Sequence, residues 1–455
     1  MLAKAPLSLA NRLTGNAPAE TLRFIAALRE YAGQRESVLS EEVRGSAATE
    51  WRSHWTLVAA AAAGMSLSAV STSSLGVMME PLEQEFGWSR AQISLGVSLV
   101  SFIGMALATF AGLGIDRFGA RPVGIIAATM MCAGIAMMAL VDGHLWQWWG
   151  LWALVGLSAS AMPTVWMASV SSHFVAARGL AVAIALSGTG ITTSLVPIIA
   201  QQMVGEYGWR TAYVGLAAIW AVLVLPLVLL FFRNTQTRGP APASDAAKQP
   251  VGDLPGLTAR EGFASATFWK LALAAFLSMS AGVAIILNLF PVLRSTGLTP
   301  ATAASVAGII GVATIIGRIC GGWLMDRMSA GLIAGISAGG AAVLPLALLL
   351  MPGSITAAAV GVAVYGLLGG AKVPAVVYLA SRHFGQRAFG VLYGAVNTTI
   401  ALGVGLGPLV ANLVYDAAGS YTPVMWAAVP FVFVAALLYM SLGPYPDFNK
   451  REANG

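Results

Sequence analysis

The 455-residue chain is 57% hydrophobic and only 10% charged, whereas an ordinary soluble domain carries about 25% charged residues. This composition excludes a soluble enzyme or nucleic-acid-binding domain and points to a polytopic protein embedded in a lipid bilayer; the net charge of +6 comes from cations in tails and loops. Cys132 and Cys320 both fall inside apolar runs, so no disulfide framework, metal site or cofactor is expected.

Residues 1–53 are polar and read as a cytoplasmic tail, with no apolar run long enough for a signal peptide or a span. Within it Leu22, Ile25 and Leu28 share one helical side, which fits either a short interfacial helix or a loosely ordered tail. Apolar runs then predict helices near 55–78, 91–113, 122–141, 147–171, 179–203 and 211–232, forming a first six-helix bundle over 54–233. Residues 234–266 hold Pro240, Pro242, Pro250 and Pro255 among mixed charges and read as a cytoplasmic linker. A second bundle over 267–444 follows, with helices near 268–291, 301–324, 331–350, 355–380, 388–411 and 423–442, then a tail over 445–455. Each run has about 20 residues, enough to cross about 30 Å of hydrocarbon. Trp146, Trp148 and Trp149 read as an interfacial belt.

Lys and Arg counts set the orientation. With the amino terminus inside, twenty of the 25 cations are cytoplasmic and only Arg90, Arg210 and Arg294 lie outside. Both termini are therefore expected in the cytoplasm, with the protein spanning the cell membrane.

The second bundle copies the first. Gly112-Leu-Gly-Ile-Asp116-Arg117-Phe-Gly119-Ala-Arg121 is a charged turn between two apolar runs, and Gly322-Trp-Leu-Met-Asp326-Arg327 repeats its core 210 residues later. The same offset pairs Pro81 with Pro291, Gly87 with Gly297, Ala91 with Ala301, Gly156 with Gly366, and His173-Phe174 with His383-Phe384. After a one-residue gap Arg178 stands opposite Arg387. A fixed register over roughly ninety residues marks two parallel repeats, a standard transporter plan. The expected fold is an all-α membrane protein with twelve transmembrane helices in two parallel six-helix repeats.

The turn at 112–123, its echo at 322–327 and the two-copy plan resemble the major facilitator superfamily, over nearly everything after residue 50. The stretch from His173 to Gly188 is similar to the helix 4–5 signature of its monocarboxylate porter branch, which includes oxalate/formate exchangers, and Phe86-Gly-Trp88-Ser-Arg90 also fits that branch. The resemblance implies a secondary transporter working by alternating access. Asp116, Arg117, Arg121 and Arg178, with Asp326, Arg327 and Arg387, would then be cytoplasmic gate elements.

Two cations remain inside apolar runs, Arg318 and Lys372, and their repeat counterparts are Ala108 and Met162. The fold itself thus requires no cation at either place. A mid-membrane charge costs at least about 2.5–3.5 kcal/mol and normally faces a cavity or a partner. No acidic residue lies at that depth, so an anionic substrate is the expected counter-ion. The alternatives are a structural lock in which Arg318 donates to helix carbonyls, and a Lys372 that reaches the interface along its own stem. Gly317-Arg318 also falls where the porters' carboxylate-binding arginine stands, so the resemblance implies the same role. Thr314 replaces their acidic residue one turn earlier, and Val396, with Asn397 beside it, replaces the exchanger's lysine. These departures count against the usual proton relay and against oxalate.

Asn288, Asn397, Tyr393 and Trp166 complete the candidate substrate site, each weighed against ordinary helix packing. No nucleophile or metal constellation is visible, so no enzyme is expected. The expected function is transport of a small organic anion, a monocarboxylate, coupled to protons or by exchange, by a monomer. Efflux of a neutral or amphipathic compound and a non-transporting membrane sensor are the alternatives.

Overall fold

The computed structural model describes residues 47–174, 177–232, 256–325, 327–385 and 387–446. These residues are almost entirely helical. Eleven helices are long and apolar enough to cross a membrane. In chain order they are α1 (Ala47–Phe86), α2 (Arg90–Phe118), α3 (Ala120–Leu140), α4 (Leu145–His173), a continuous helix Arg178–Phe231, α7 (Ala266–Leu287), α8 (Pro300–Met325), α9 (Ala330–Leu350), α10 (Ile355–Phe384), α11 (Phe389–Ala418) and α12 (Thr422–Met440). The 54-residue Arg178–Phe231 helix is far too long for one crossing at 1.5 Å per residue. Gly208, with φ 81° and ψ 166°, breaks it into α5 (178–207) and α6 (209–231). Twelve crossings result, as the apolar runs predict.

The repeat is visible at single residues. Gly87 (φ 67°) and Gly297 (φ 96°) close the corresponding first turns, and Gly143 (φ 103°) and Gly353 (φ 78°) the second. Only glycine enters that left-handed region without strain. His173 Nδ1 lies 2.9 Å from the carbonyl of Ser169, and His383 Nδ1 lies 3.0 Å from that of Leu379.

Several edges differ from the apolar-run reading. α1 is already helical at Ala47, ahead of the apolar run, where Glu50 accepts the Ala177 amide at 3.0 Å and Trp51 packs edge-on against Phe174. Residues 256–264, read as linker, dock on the second half: the Leu257 amide donates to the Phe384 carbonyl, and Thr258 and Glu261 form a capping box on the short helix Ala259–Ala264. Phe174 and Phe384 are repeat partners, so the approach to each bundle is fixed at the same place. Of the proposed belt, Trp146 is exposed, but Trp148 is fully buried and donates to the Ile93 carbonyl.

The two halves meet along α2–α11, α5–α8 and α1–α7. The first two seams are equivalent under the repeat. Among the described residues, the close contacts named next lie in the middle and at the mouth remote from Ala47 and Pro446. Ser98 donates to the Gly405 carbonyl, a Cβ on Gly405 would stand 3.2 Å from Phe102, and Gly76 packs on Leu287, Phe290 and Pro291. Toward the opposite mouth the seam parts: beyond the helix's own backbone, no atom lies within 4 Å of where a side chain would begin on Gly390 or Gly394 of α11. The bundle is closed at one mouth and open at the other.

Candidate substrate site between the halves

Where α5 and α8 cross, their backbones touch. A Cβ on Gly311 would stand 2.0 Å from the Gly190 carbonyl oxygen, so only glycine permits this approach. One to two turns further toward the open mouth, Arg318 reaches across the seam and donates to the Leu186 carbonyl at 2.9 Å. This is the structural-lock geometry, but the acceptor belongs to the other half. Among the described residues, it is also the hydrogen bond across the seam that lies nearest the open mouth.

Lys372 points elsewhere. α8 and α10 pack so closely that a Cβ on Gly370 would meet the Thr314 carbonyl and the Arg318 amide nitrogen. From that crossing Lys372 turns into the second half and donates to the Ser278 carbonyl of α7 at 3.1 Å. It is 7% exposed. The hydroxyl of Tyr365, two turns away on the same face of α10, is buried beside it, since both groups approach Gly282. The two interior cations therefore sit on adjacent helices but face different spaces. Arg318 lies on the seam and Lys372 inside a bundle.

The other candidates are dispersed. Asn397 is exposed on α11, one turn from a half-buried Tyr393 that stacks on Phe389 at 5.4 Å. Trp166 is fully buried in the first half, with Nε1 3.2 Å from the Met162 sulfur and its ring edge-on to Phe232, a packing role. Asn288 is buried at the closed mouth, where its Oδ1 lies 3.4 Å from the Tyr421 hydroxyl. A small cavity of about 100 Å³ lies between the halves beyond Arg318, lined by Thr72, Thr193, Ile286 and Ile310 among others.

Of the gate residues, the side chains of Asp116 and Arg178, and Asp326 entirely, lie outside the described residues. Arg117, Arg327 and Arg387 are exposed at the open mouth, Arg327 over the Trp323 ring at 3.8 Å. Arg121 donates to the Leu229 carbonyl of its own half.

Sequence reasoning missed the polar cluster that closes the other mouth. Asp416 of α11 accepts from the Arg90 and Ala91 amides at 3.0 and 2.9 Å. The Arg90 side chain bonds Glu83 at 2.9 Å and Tyr421 at 3.1 Å and lies 3.9 Å from the Tyr415 ring centroid. Tyr421 donates to Asn412 at 2.8 Å. A charge near a helix end reads as a loop charge, and no local spacing links residues 326 apart.

A two-fold helical bundle, shut at one mouth and parted at the other with a guanidinium on its seam, has the form of a membrane transporter. Residues 61–408 match the Major Facilitator Superfamily model, and the chain belongs to that superfamily. It is similar to mouse monocarboxylate transporter 11 (Mus musculus; 26% identity over 406 residues, covering 85% of this chain and 87% of that one) and to its human counterpart (Homo sapiens; 27% over 412 residues, 85% and 82%). A solved D-xylose–proton symporter superposes with a TM-score of 0.70 at 16% identity, covering 86% of this chain and 98% of that one. The protein is thus a multi-pass facilitator-type transporter whose partner is a small molecule.

Proposed function

We propose that this transporter moves a small organic anion, a monocarboxylate, and that Arg318 holds its carboxylate. The observation that carries the reading is the place of Arg318: a guanidinium on the seam, bonded to a backbone carbonyl and facing no described carboxylate. The names of the similar monocarboxylate transporters support the same class. With both termini in the cytoplasm, the open mouth is the inward one and the state is inward-open. Arg117, Arg121, Arg327 and Arg387, with Asp116, Arg178 and Asp326, then close that mouth in the opposite state. Lys372 contributes positive potential from behind the α8–α10 crossing, not contact. The protein acts as a monomer in the cell membrane. Its energy comes from a substrate gradient, with a proton carried alongside or an anion exchanged.

The test is a thermal-shift screen of carboxylates on purified protein, followed by Arg318 variants. A ligand at a hundred times its Kd stabilises the folded state by about 2.7 kcal/mol. A guanidinium grips a carboxylate through two parallel bonds, each contributing about 1.5–3 kcal/mol, whereas lysine is a point charge. Arg318→Lys should weaken anion binding tenfold or more, and Arg318→Ala should abolish it while folding persists, as Ala108 in the first repeat suggests. A folded Arg318→Ala protein that transports carboxylates with normal affinity would sink the assignment. Stabilisation by neutral amphipathic compounds, indifferent to Arg318, would favour efflux.

A further inference from the structure

The cluster at the closed mouth differs from the charged turn at the open one, because it joins the two halves directly. The first turn of α2 has its donors divided between two partners. Its own Ser89 and Gln92 form a capping box, with the Gln92 amide on Ser89 and the Ser89 amide on Gln92. The remaining amides, of Arg90 and Ala91, are satisfied only by Asp416 of the opposite half. A helix amino terminus carries about half a positive charge, and its free amides need acceptors. The end of α2 is therefore complete only while α11 stays against it. Arg90 doubles the tie: its guanidinium lies between Glu83 of its own half and the Tyr421 hydroxyl and Tyr415 ring of the other.

We propose that Asp416 is the latch of the remote mouth, a second gate that must let go before the transporter can open on that side. The repeat supplies an internal comparison. Under the 210-residue offset, which holds through the first turns of α2 and α8, Arg90 corresponds to Pro300 and Ala91 to Ala301. Pro300 has no amide hydrogen, so the first turn of α8 cannot offer the pair of donors that the first turn of α2 offers. Thr299 caps that turn instead, by accepting the Thr302 amide. Glu206, the acidic residue near the end of α5, is exposed and has no hydrogen-bond partner among the described residues. Two seams that are equivalent by descent thus differ in kind. The α2–α11 seam is held by a releasable charge, and the α5–α8 seam by touching backbones. A merely stabilising carboxylate would lack this dependence on the state of the two halves.

Double electron–electron resonance on the full-length protein in lipid nanodiscs tests the latch, in a Cys132→Ser, Cys320→Ser background with no substrate present. Spin labels at Tyr207→Cys and Met351→Cys, both exposed at that mouth, report its width. Asp416→Ala should add a longer-distance population at least threefold above the parent level. Asp416→Asn, which keeps an acceptor but loses the charge, should fall between the two. Glu206→Gln should leave the distribution unchanged. If Asp416→Ala fails to fold, Tyr421→Phe should shift the population the same way, to a smaller extent. A folded Asp416→Ala protein with the parent distribution overturns the latch, as does an equal response to Glu206→Gln. Neither result depends on which substrate is carried.

Discussion

Lys372 shows how far one residue can be read from sequence. Its depth and lack of a carboxylate partner were legible from its place in an apolar run, but its direction was not. A helix position is fixed along the axis by counting, whereas the space a side chain faces depends on which neighbour crosses it. Gly370 sets that here, by bringing α10 onto the Arg318 backbone and turning Lys372 toward Ser278. An ammonium buried against one carbonyl carries a large desolvation cost. Lys372→Met keeps the stem and removes the charge, so the unliganded protein should melt at a higher temperature. If Lys372 acts through potential alone, anion Kd should rise by less than tenfold, far less than for Arg318→Ala. Melting curves with and without ligand give both quantities. A loss of binding equal to that of Arg318→Ala would make Lys372 a direct ligand.

At the scale of elements, the apolar runs and the repeat made all twelve crossings legible, because length and register are properties of the chain alone. What escaped were the joins. The inward extension of α1 rests on Glu50 and Trp51 meeting the α4–α5 turn, and the bend at Gly208 replaces a loop. Helix contacts escaped too, since small residues are spread over every helix and only some meet a backbone. Gly311 is one that does. Gly311→Ala would place a methyl group 2.0 Å from the Gly190 oxygen, so α5 and α8 must part. We expect a lower melting temperature and reduced flux. Gly150→Ala, where nothing lies within 4 Å, should be neutral in both assays, and equal effects would remove the special role of the crossing.

For the whole molecule, alternating access requires the parted α2–α11 seam to close when the latched end opens. Gly394 and Thr398 continue the face of α11 that carries Gly405, by helical spacing. Gly394→Leu should therefore obstruct closure, leaving anion binding intact and slowing transport at least tenfold. Equilibrium binding measured beside liposome flux separates the two effects, and unimpaired flux would argue against closure along this face. The bend at Gly208 has a consequence for how the protein is made. With no loop between α5 and α6, the two helices must enter the bilayer as one hairpin whose tip carries Arg210. That charge ends beside Glu85, which also accepts from Trp209 at 2.6 Å. Glu85 ends α1, synthesised more than a hundred residues earlier, so its partner emerges only with the last hairpin of the first half. The tie that seals the first bundle is therefore available only once its own final segment has been made.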